Sequence, residues 1–525
     1  MKKNEKRVAW YFFVILILTG WFSTKEANQF VQSEKIDHYT LMFKTKNNSQ
    51  FQRINFNAFI PDTSLCKSNV RNRLSIDEKK ISGIPTSLKW LPPLANSPTA
   101  ICYAWRYDDS DNRNSWNYHT TILNKHSLNI LSVFIDPANF FDFTKGIYTT
   151  GICHLFQDQP EFTIPWWLIE ANWTQRGKVW ERPLHFQYLD SNGKLLFESD
   201  AGARINGNAT RGFPQKSLRL NASKKYGNKS FKFNFFGTSN SKKYFSLILR
   251  NSGNDWGRTM CADGFIQSCL KNANIDKQSY EPVVMYLNGV YWGLYALNER
   301  MDEDFFANKY NTKKKNITLL EGSTLSYGKE SERTDFLKAI SFCKSHSMKE
   351  SRNFNLLCEK FDLENLLIYS AIEIYCANRD WPKQNVQVAK IKDRHDNKWF
   401  FALRDLDCSY SYSGKDAYAF DMFEYLNTST EHFAVIFNAC MKNNEFRVRL
   451  KKVLVSLMHG PFSISKQLKQ YEVLTNSLTG EISYQVNRWR KPLNKKAWLN
   501  HVSEFKQFIS TREAVLFSQM DKHLN

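Results

Sequence analysis

The stretch 378–407, NRDWPKQNVQVAKIKDRHDNKWFFALRDLD, constrains the fold of this chain more than any other. The segment before it, 365–376 (NLLIYSAIEIYC), is apolar on nearly every side, which predicts a buried helix. Two short β-prone runs follow, 386–391 and 399–403, with a turn-rich stretch at 393–397 between them. The pattern is a hairpin that returns the chain to its start. It brings Asp380, Asn385, Asp405 and Asp407 to one end. Several hard oxygen donors together suit Mg²⁺, which usually binds one or two carboxylates and the phosphates of a substrate. Asp and Asn also favour turns for backbone reasons alone. The stretch by itself leaves both readings open.

In protein kinases a catalytic-loop Asp is followed, after four intervening residues, by a metal-holding Asn, and a second metal-holding Asp closes the next hairpin. Asp380, Asn385 and Asp405 keep that order. A second stretch, 204–220 (RINGNATRGFPQKSLRL), supplies Gly207 and Gly212, which permit tight backbone geometry, and Lys216 at the head of a β-prone piece. A glycine-bearing turn beside a strand lysine can hold phosphates through backbone N–H groups and one cation. An ordinary basic hairpin has the same composition.

The chain of 525 residues is long enough for several domains, and 42% hydrophobic with 15% aromatic residues favours a folded protein. Its net charge of +21 favours anionic partners. Nucleic acid is not expected among them, because no zinc-finger spacing, RNA-recognition signature or long basic run occurs. Residues 1–27 open with lysines and arginines and then run apolar over 8–22, the layout of a secretory signal. The run is short against the roughly 17–25 residues of a spanning helix. No clean A-x-A site follows, so a cleaved signal and a membrane anchor through 8–22 both stand. Either predicts an extracytoplasmic protein, secreted or held in the cell envelope. The 10 cysteines carry no CxxC and give no zinc framework.

Along the chain, 28–140 reads as a β-rich accessory domain resembling a sandwich, with strands at 101–107 and 131–135. Strands are predicted at 181–188, 194–198, 229–236 and 244–250, and a helix over 256–270. Asn288-Gly289 between apolar runs marks the clearest hairpin, which ends in Glu299. Residues 311–335 are polar and lysine-rich, a surface connection by composition, and 433–458 and 466–525 are mostly helical by period. The order is β-rich, then mixed, then helical.

Four pieces together resemble the spore coat protein H (CotH) kinase family, as an exported bacterial member: RINGNATRGFPQKSLRL (204–220), LRNSGNDWGRTM (249–260) with Asp255 and Arg258, PVVMYLNGVYWGLYALNERMD (282–302), and the central NRD, Asn385 and RDLD. The joint match spans roughly 150–420, and no single piece is specific. The resemblance implies an α+β, atypical protein-kinase-like two-lobed fold. Its domain would span 146–430, with an N-lobe at about 146–300 and a C-lobe at about 301–430, and 431–525 would be a helical extension. It further implies ATP and Mg²⁺, with Mn²⁺ as a substitute, and phosphorylation of Ser or Thr on a protein partner. Carried over by position, Lys216 would contact phosphate, Asp380 would orient or deprotonate the acceptor hydroxyl, Asn385 and Asp405 would hold metal, and Asp407 would be a second metal contact. Glu299 would stand at the hinge beside the nucleotide, and Arg204 near phosphate or in a structural role. Departures are Asn378 in place of the catalytic-loop His, RDLD in place of DFG, and the lack of GxGxxG. The rival reading is a catalytically silent surface scaffold or adhesion protein of the same fold. A carboxylate pair acting on glycans would leave Asn385 and Lys216 without a task.

Overall fold

The computed structural model describes residues 116–156, 169–237, 242–392 and 397–525, together with four strands before them: β1 (Tyr39–Phe43), β2 (Ser49–Phe56), β3 (Glu78–Lys79) and β4 (Ala100–Tyr107). With β5 (Trp116–Ile122) these form a five-stranded sheet in the order β3-β1-β2-β4-β5, antiparallel at each pairing. The sheet belongs to the first of two compact units of the chain. A second sheet, as a sandwich would need, is not present there among the described residues. The signal-like segment 1–27 lies outside them.

The second unit begins with β6 (Asn129–Phe134) and the short helix α1 (Pro137–Phe141). β7 (Arg182–Leu189), β8 (Leu195–Ile205), β9 (Leu218–Asn221) and β10 (Ser246–Arg250) follow, then α2 (Ala262–Cys269), β11 (Asp276–Lys277), β12 (Tyr280–Leu287) and β13 (Val290–Glu299). All of these strands except β11 close a barrel in the order β10-β13-β12-β6-β7-β8-β9. β6 falls within the 28–140 segment yet is a stave of this barrel, parallel to β12 and antiparallel to β7. Its Ile130, Leu131 and Val133 are fully buried, which no edge of an exposed sheet would allow. Between β12 and β13 the chain turns at Asn288 and Gly289, with φ of 49° and 83°, as the Asn-Gly pair demands.

Downstream come α3 (Glu303–Lys309), β14 (Ile317–Glu321), β15 (Thr324–Tyr327), α4 (Glu330–Ser345), α5 (Ser351–Cys358), α6 (Leu363–Cys376), β16 (Gln387–Ile391) and β17 (Trp399–Leu403). The strands form a sheet in the order β11-β17-β16-β14-β15. Helices α7 (Met422–Thr428), α8 (His432–Cys440), α9 (Asn444–His459), α10 (Ile464–Trp489) and α11 (Lys495–Leu524) complete the unit. No helix among the described residues is long and apolar enough to cross a membrane.

The mixed α+β reading holds, and so do α6 and the hairpin strands β16 and β17. Three local expectations do not. The 229–236 run is not a strand: it makes one isolated bridge, Phe231 to Tyr244, while Phe231, Phe233 and Phe235 pack their rings against Phe197. Aromatic packing, not a hydrogen-bond ladder, explains its apolar pattern. The helix predicted over 256–270 starts only at Ala262, because the Asp255 carboxylate accepts the backbone N–H groups of Thr259, Cys261 and Ala262 at 2.9–3.0 Å and holds the preceding residues as a loop. The polar 311–335 connection contains β14, whose Ile317, Leu319 and Leu320 are buried in the sheet.

Candidate active site

A cleft of about 1030 Å³ opens between the barrel strands β8, β9, β10 and β13 and the hairpin that carries the central acids. Asp380, Asn385, Asp405 and Asp407 all line it, as does Arg204. Local structure explains why the acids meet. α6 ends at Ala377, whose φ of 50° turns the chain, and buried Asn378 then braces the loop. Its Nδ2 donates to Glu373 Oε2 at 3.0 Å, and its Oδ1 accepts the Asp380 N–H at 3.2 Å. Arg379 N–H donates to the Cys408 carbonyl at 3.0 Å, which ties the loop to the end of the hairpin. Asn378 therefore braces backbone where the kinase pattern has His.

The deepest part of the site is built on Arg250, the last residue of β10. Its guanidinium bonds Asp405 and Asp407 together, and Asp263 of α2 stands 3.6 Å away. Asp407 also accepts the Asn254 backbone N–H at 2.8 Å and its side-chain N–H at 3.1 Å. Gly253, with φ of 58°, lets that loop approach; a Cβ there would overlap Asp407 Oδ2. Three carboxylates around one guanidinium leave the cluster negative. Burial works against the charge of Arg250, yet Asp405, Asp407 and Asp263 hold its pKa well above the usual value. Burial would raise Asp405, and Arg250 outweighs that and lowers it. Asp407 is raised, by burial and by the charge of Asp405. Asp380 is half-buried and also raised, by burial first and then by Asp405.

Two residues expected at the site lie elsewhere. Lys216, two residues ahead of β9, is buried and does not line the cleft, whereas Ser217 and Arg219 do. Its Nζ donates to the backbone carbonyls of Arg211 at 2.7 Å and Phe213 at 3.0 Å, and stands 4.5 Å from the Trp173 ring centroid. Burial and the charge of Arg211 depress its pKa well below the ordinary value. Glu299 is turned away in the same manner: its neighbour Asn298 lines the cleft, whereas Glu299 meets Ser279 Oγ at 3.3 Å. Burial raises Glu299 to about 7. Arg204 faces the cleft with its guanidinium held by Glu181 Oε2 at 2.7 Å.

Arg219 and Arg300 join Arg204 on that wall and were not among the expected residues. Arg219 is paired with Arg204 across β8 and β9, and its Nε donates to Asn221 Oδ1 at 2.5 Å. Burial, with Arg300 and Arg204 nearby, lowers its pKa to about 10. Strand alternation was the available signal: Lys216 shares parity with core residues Leu218 and Leu220, and Arg219 with Ser217.

Comparison with known families finds a match to the family described as CotH kinase protein over residues 203–516, more than half of the chain. The chain belongs to the CotH kinase family. No curated protein matches it. The CotH match starts within β8 and ends within α11, so it takes in the whole cleft-lining set from Arg204 onwards and leaves β6 and β7 of the barrel outside. Membership assigns the chain a kinase-like function in general terms, with nucleotide, divalent metal and protein substrate as the family's class of partners.

Proposed function

We propose that this CotH-family chain is an ATP- and Mg²⁺-dependent protein kinase that transfers the γ-phosphate to Ser or Thr of an exported or envelope protein. The observation that carries the reading is the gathering of Asp380, Asn385, Asp405 and Asp407 in one cleft with Arg204, Arg219 and Arg300. Oxygen donors beside cations suit a polyphosphate with a hard metal ion. In the two-lobed reading the barrel is the nucleotide lobe, the second sheet with α4 to α11 is the acceptor lobe, and the β-rich segment before them is a spacer. Export through residues 1–27 belongs to the same proposal.

The donor set fits the metal. Asp380 and Asp407 each offer an oxygen, and with Cys408 Sγ these atoms lie within 4.8 Å of one another. Burial and the charges of Asp407 and Asp380 drive the Cys408 pKa upward, so the thiol stays protonated and the ligands are hard oxygens. Asn385, Asp405 and Asp407, with Asp380 beside them, would hold Mg²⁺ or Mn²⁺, and the bound ion supplies charge neutralisation at the phosphates. The chain does the rest by positioning. Asp380 accepts the hydrogen bond of the Ser or Thr hydroxyl and takes its proton as that oxygen bonds the γ-phosphorus and ADP leaves. Its raised pKa suits a base. Arg219 offsets phosphate charge in the place foreseen for Lys216.

Incubation with labelled ATP and Mg²⁺ or Mn²⁺ tests the proposal through self-labelling and transfer to envelope extracts. Asp380→Asn is expected to lower transfer roughly 10²–10⁴-fold with an unchanged melting temperature, and Asp405→Asn to abolish it. Wild-type transfer by the Asp380 variant would refute the assignment. One observation favours the silent scaffold instead: the Arg250 guanidinium already occupies Asp405 and Asp407. A melting temperature unmoved by saturating Mg-ATP selects that reading, because a ligand bound only by the folded state must raise it.

A further inference from the structure

Asp380 is half-buried in the cleft, while Asn378 before it and Trp381 after it are fully buried. Both are fastened to α6. Glu373 Oε2 accepts from Asn378 Nδ2 at 3.0 Å, and Asn378 Oδ1 in turn accepts the Asp380 N–H at 3.2 Å. Trp381 packs its indole against Tyr369, with ring centroids 6.1 Å apart, and against Phe433 at 4.8 Å. Tyr369 and Glu373 stand at i and i+4 of α6 and so share one face of the helix. That face grips the chain on each side of Asp380, and neither side chain lines the cleft itself. Glu373 is a costly residue to keep there. It is fully buried, and its Oε1 has no hydrogen-bond partner among the described residues. Burial raises its pKa to about 8, so the carboxyl is mostly uncharged near neutral pH. What Glu373 supplies is an acceptor.

We infer that Glu373 is a positioning residue of the transfer reaction, which acts through the Asn378 amide to fix the backbone of Asp380 and so the direction of its carboxylate. An amide has a donor end and an acceptor end. With Nδ2 held by Glu373, Oδ1 is the end presented to the Asp380 N–H. Without an acceptor at 373 nothing chooses between the two ends, and the turned amide would set its own N–H₂ against that N–H. Trp381, seated on Tyr369, holds the other side, so Asp380 is left with its side chain as the free part. A base must meet the acceptor hydroxyl within hydrogen-bond reach, and small misplacements are expensive. The inference rests on the kinase reading above and adds a residue remote from the cleft that tunes its base.

Glu373→Leu and Glu373→Gln, made in the full chain, separate this role from packing. Leu fills the site without an acceptor, and Gln keeps a carbonyl oxygen where the uncharged carboxyl has one. Glu373→Leu is expected to lower kcat roughly tenfold to hundredfold with the KM for ATP unchanged, and Glu373→Gln to restore the wild-type kcat. Hydrogen exchange in 378–384 should quicken in the Leu variant and not in the Gln variant. A wild-type kcat in Glu373→Leu would overturn the inference, and so would a Gln variant as impaired as the Leu variant. Should Glu373→Leu fail to fold, Asn378→Ala cuts the same link and is held to the same loss of kcat at unchanged KM. A wild-type chain that transfers no phosphate to itself or to envelope extracts would remove the kinase reading. The exchange measurement then still decides whether Glu373 holds Asp380, and equal exchange in the Leu variant and the wild type would show that it does not.

Discussion

Arg250, the half-buried last residue of β10, and Lys216, buried two residues ahead of the neighbouring strand β9, are two cations of one barrel held in opposite ways. Arg250 is surrounded by Asp263, Asp405 and Asp407, which keep it charged against the cost of burial. Lys216 donates to two backbone carbonyls and lies near the Trp173 and Tyr148 rings, and burial depresses its pKa. Arg250 gathers the acidic end of the cleft. Lys216 fastens the loop of Arg211 and Phe213 from behind. A lysine read as a phosphate ligand thus does loop work, and an arginine outside the expected set organises the acids.

The comparison breaks most readily at Arg250. Arg250→Met leaves Asp405, Asp407 and Asp263 without their shared cation, and uncompensated buried charge of this kind costs about 3–5 kcal/mol. Denaturant unfolding should register that loss; a variant as stable as the wild type would mean the cluster is solvated or shares protons. Lys216→Met keeps most of the aliphatic volume and removes two hydrogen bonds, so about 1–3 kcal/mol is expected, with faster proteolysis in 207–213. pH sharpens the contrast. With the folded pKa of Lys216 below its ordinary 10.5, the unfolded chain binds more protons between the two values, so stability rises with pH across that window. Lys216→Met should lack the rise. Equal slopes for the two proteins would show that Lys216 stays charged in the fold.

Locally determined parts of this molecule were legible in the sequence. α6 follows from an unbroken apolar run, β16 and β17 from β-prone residues around a turn, and the gathering of Asp380, Asn385, Asp405 and Asp407 from the hairpin that joins them. The β12–β13 turn follows from Asn-Gly. What was missed depends on residues distant in the chain. β6 joins the barrel through β12, a parallel partner far downstream, and no local pattern in 129–134 announces it. Arg250 acquires its role only when α2 and the RDLD turn arrive beside it. Lys216 and Glu299 are different: strand alternation would have turned both away from the cleft, and motif position overrode it.

Glu299 extends the same comparison to a buried carboxyl that has no cation in hydrogen-bond contact among the described residues. Its Oε2 meets the Ser279 hydroxyl, and burial raises its pKa from 4.5 to about 7. A carboxyl raised in this way binds more protons folded than unfolded between those values. Its contribution to stability is therefore fully present below about pH 4.5 and fades as pH rises through 7. Glu299→Gln removes the titration while keeping the shape. The variant should match the wild type near pH 4 and be more stable by about 1 kcal/mol at pH 8, a part of the full linkage because the new amide N–H groups need partners of their own. Melting curves across that range decide it. A difference that does not change with pH would place the Glu299 carboxylate in contact with a cation, most simply Lys309, and make it a second, smaller version of the Arg250 arrangement rather than its opposite.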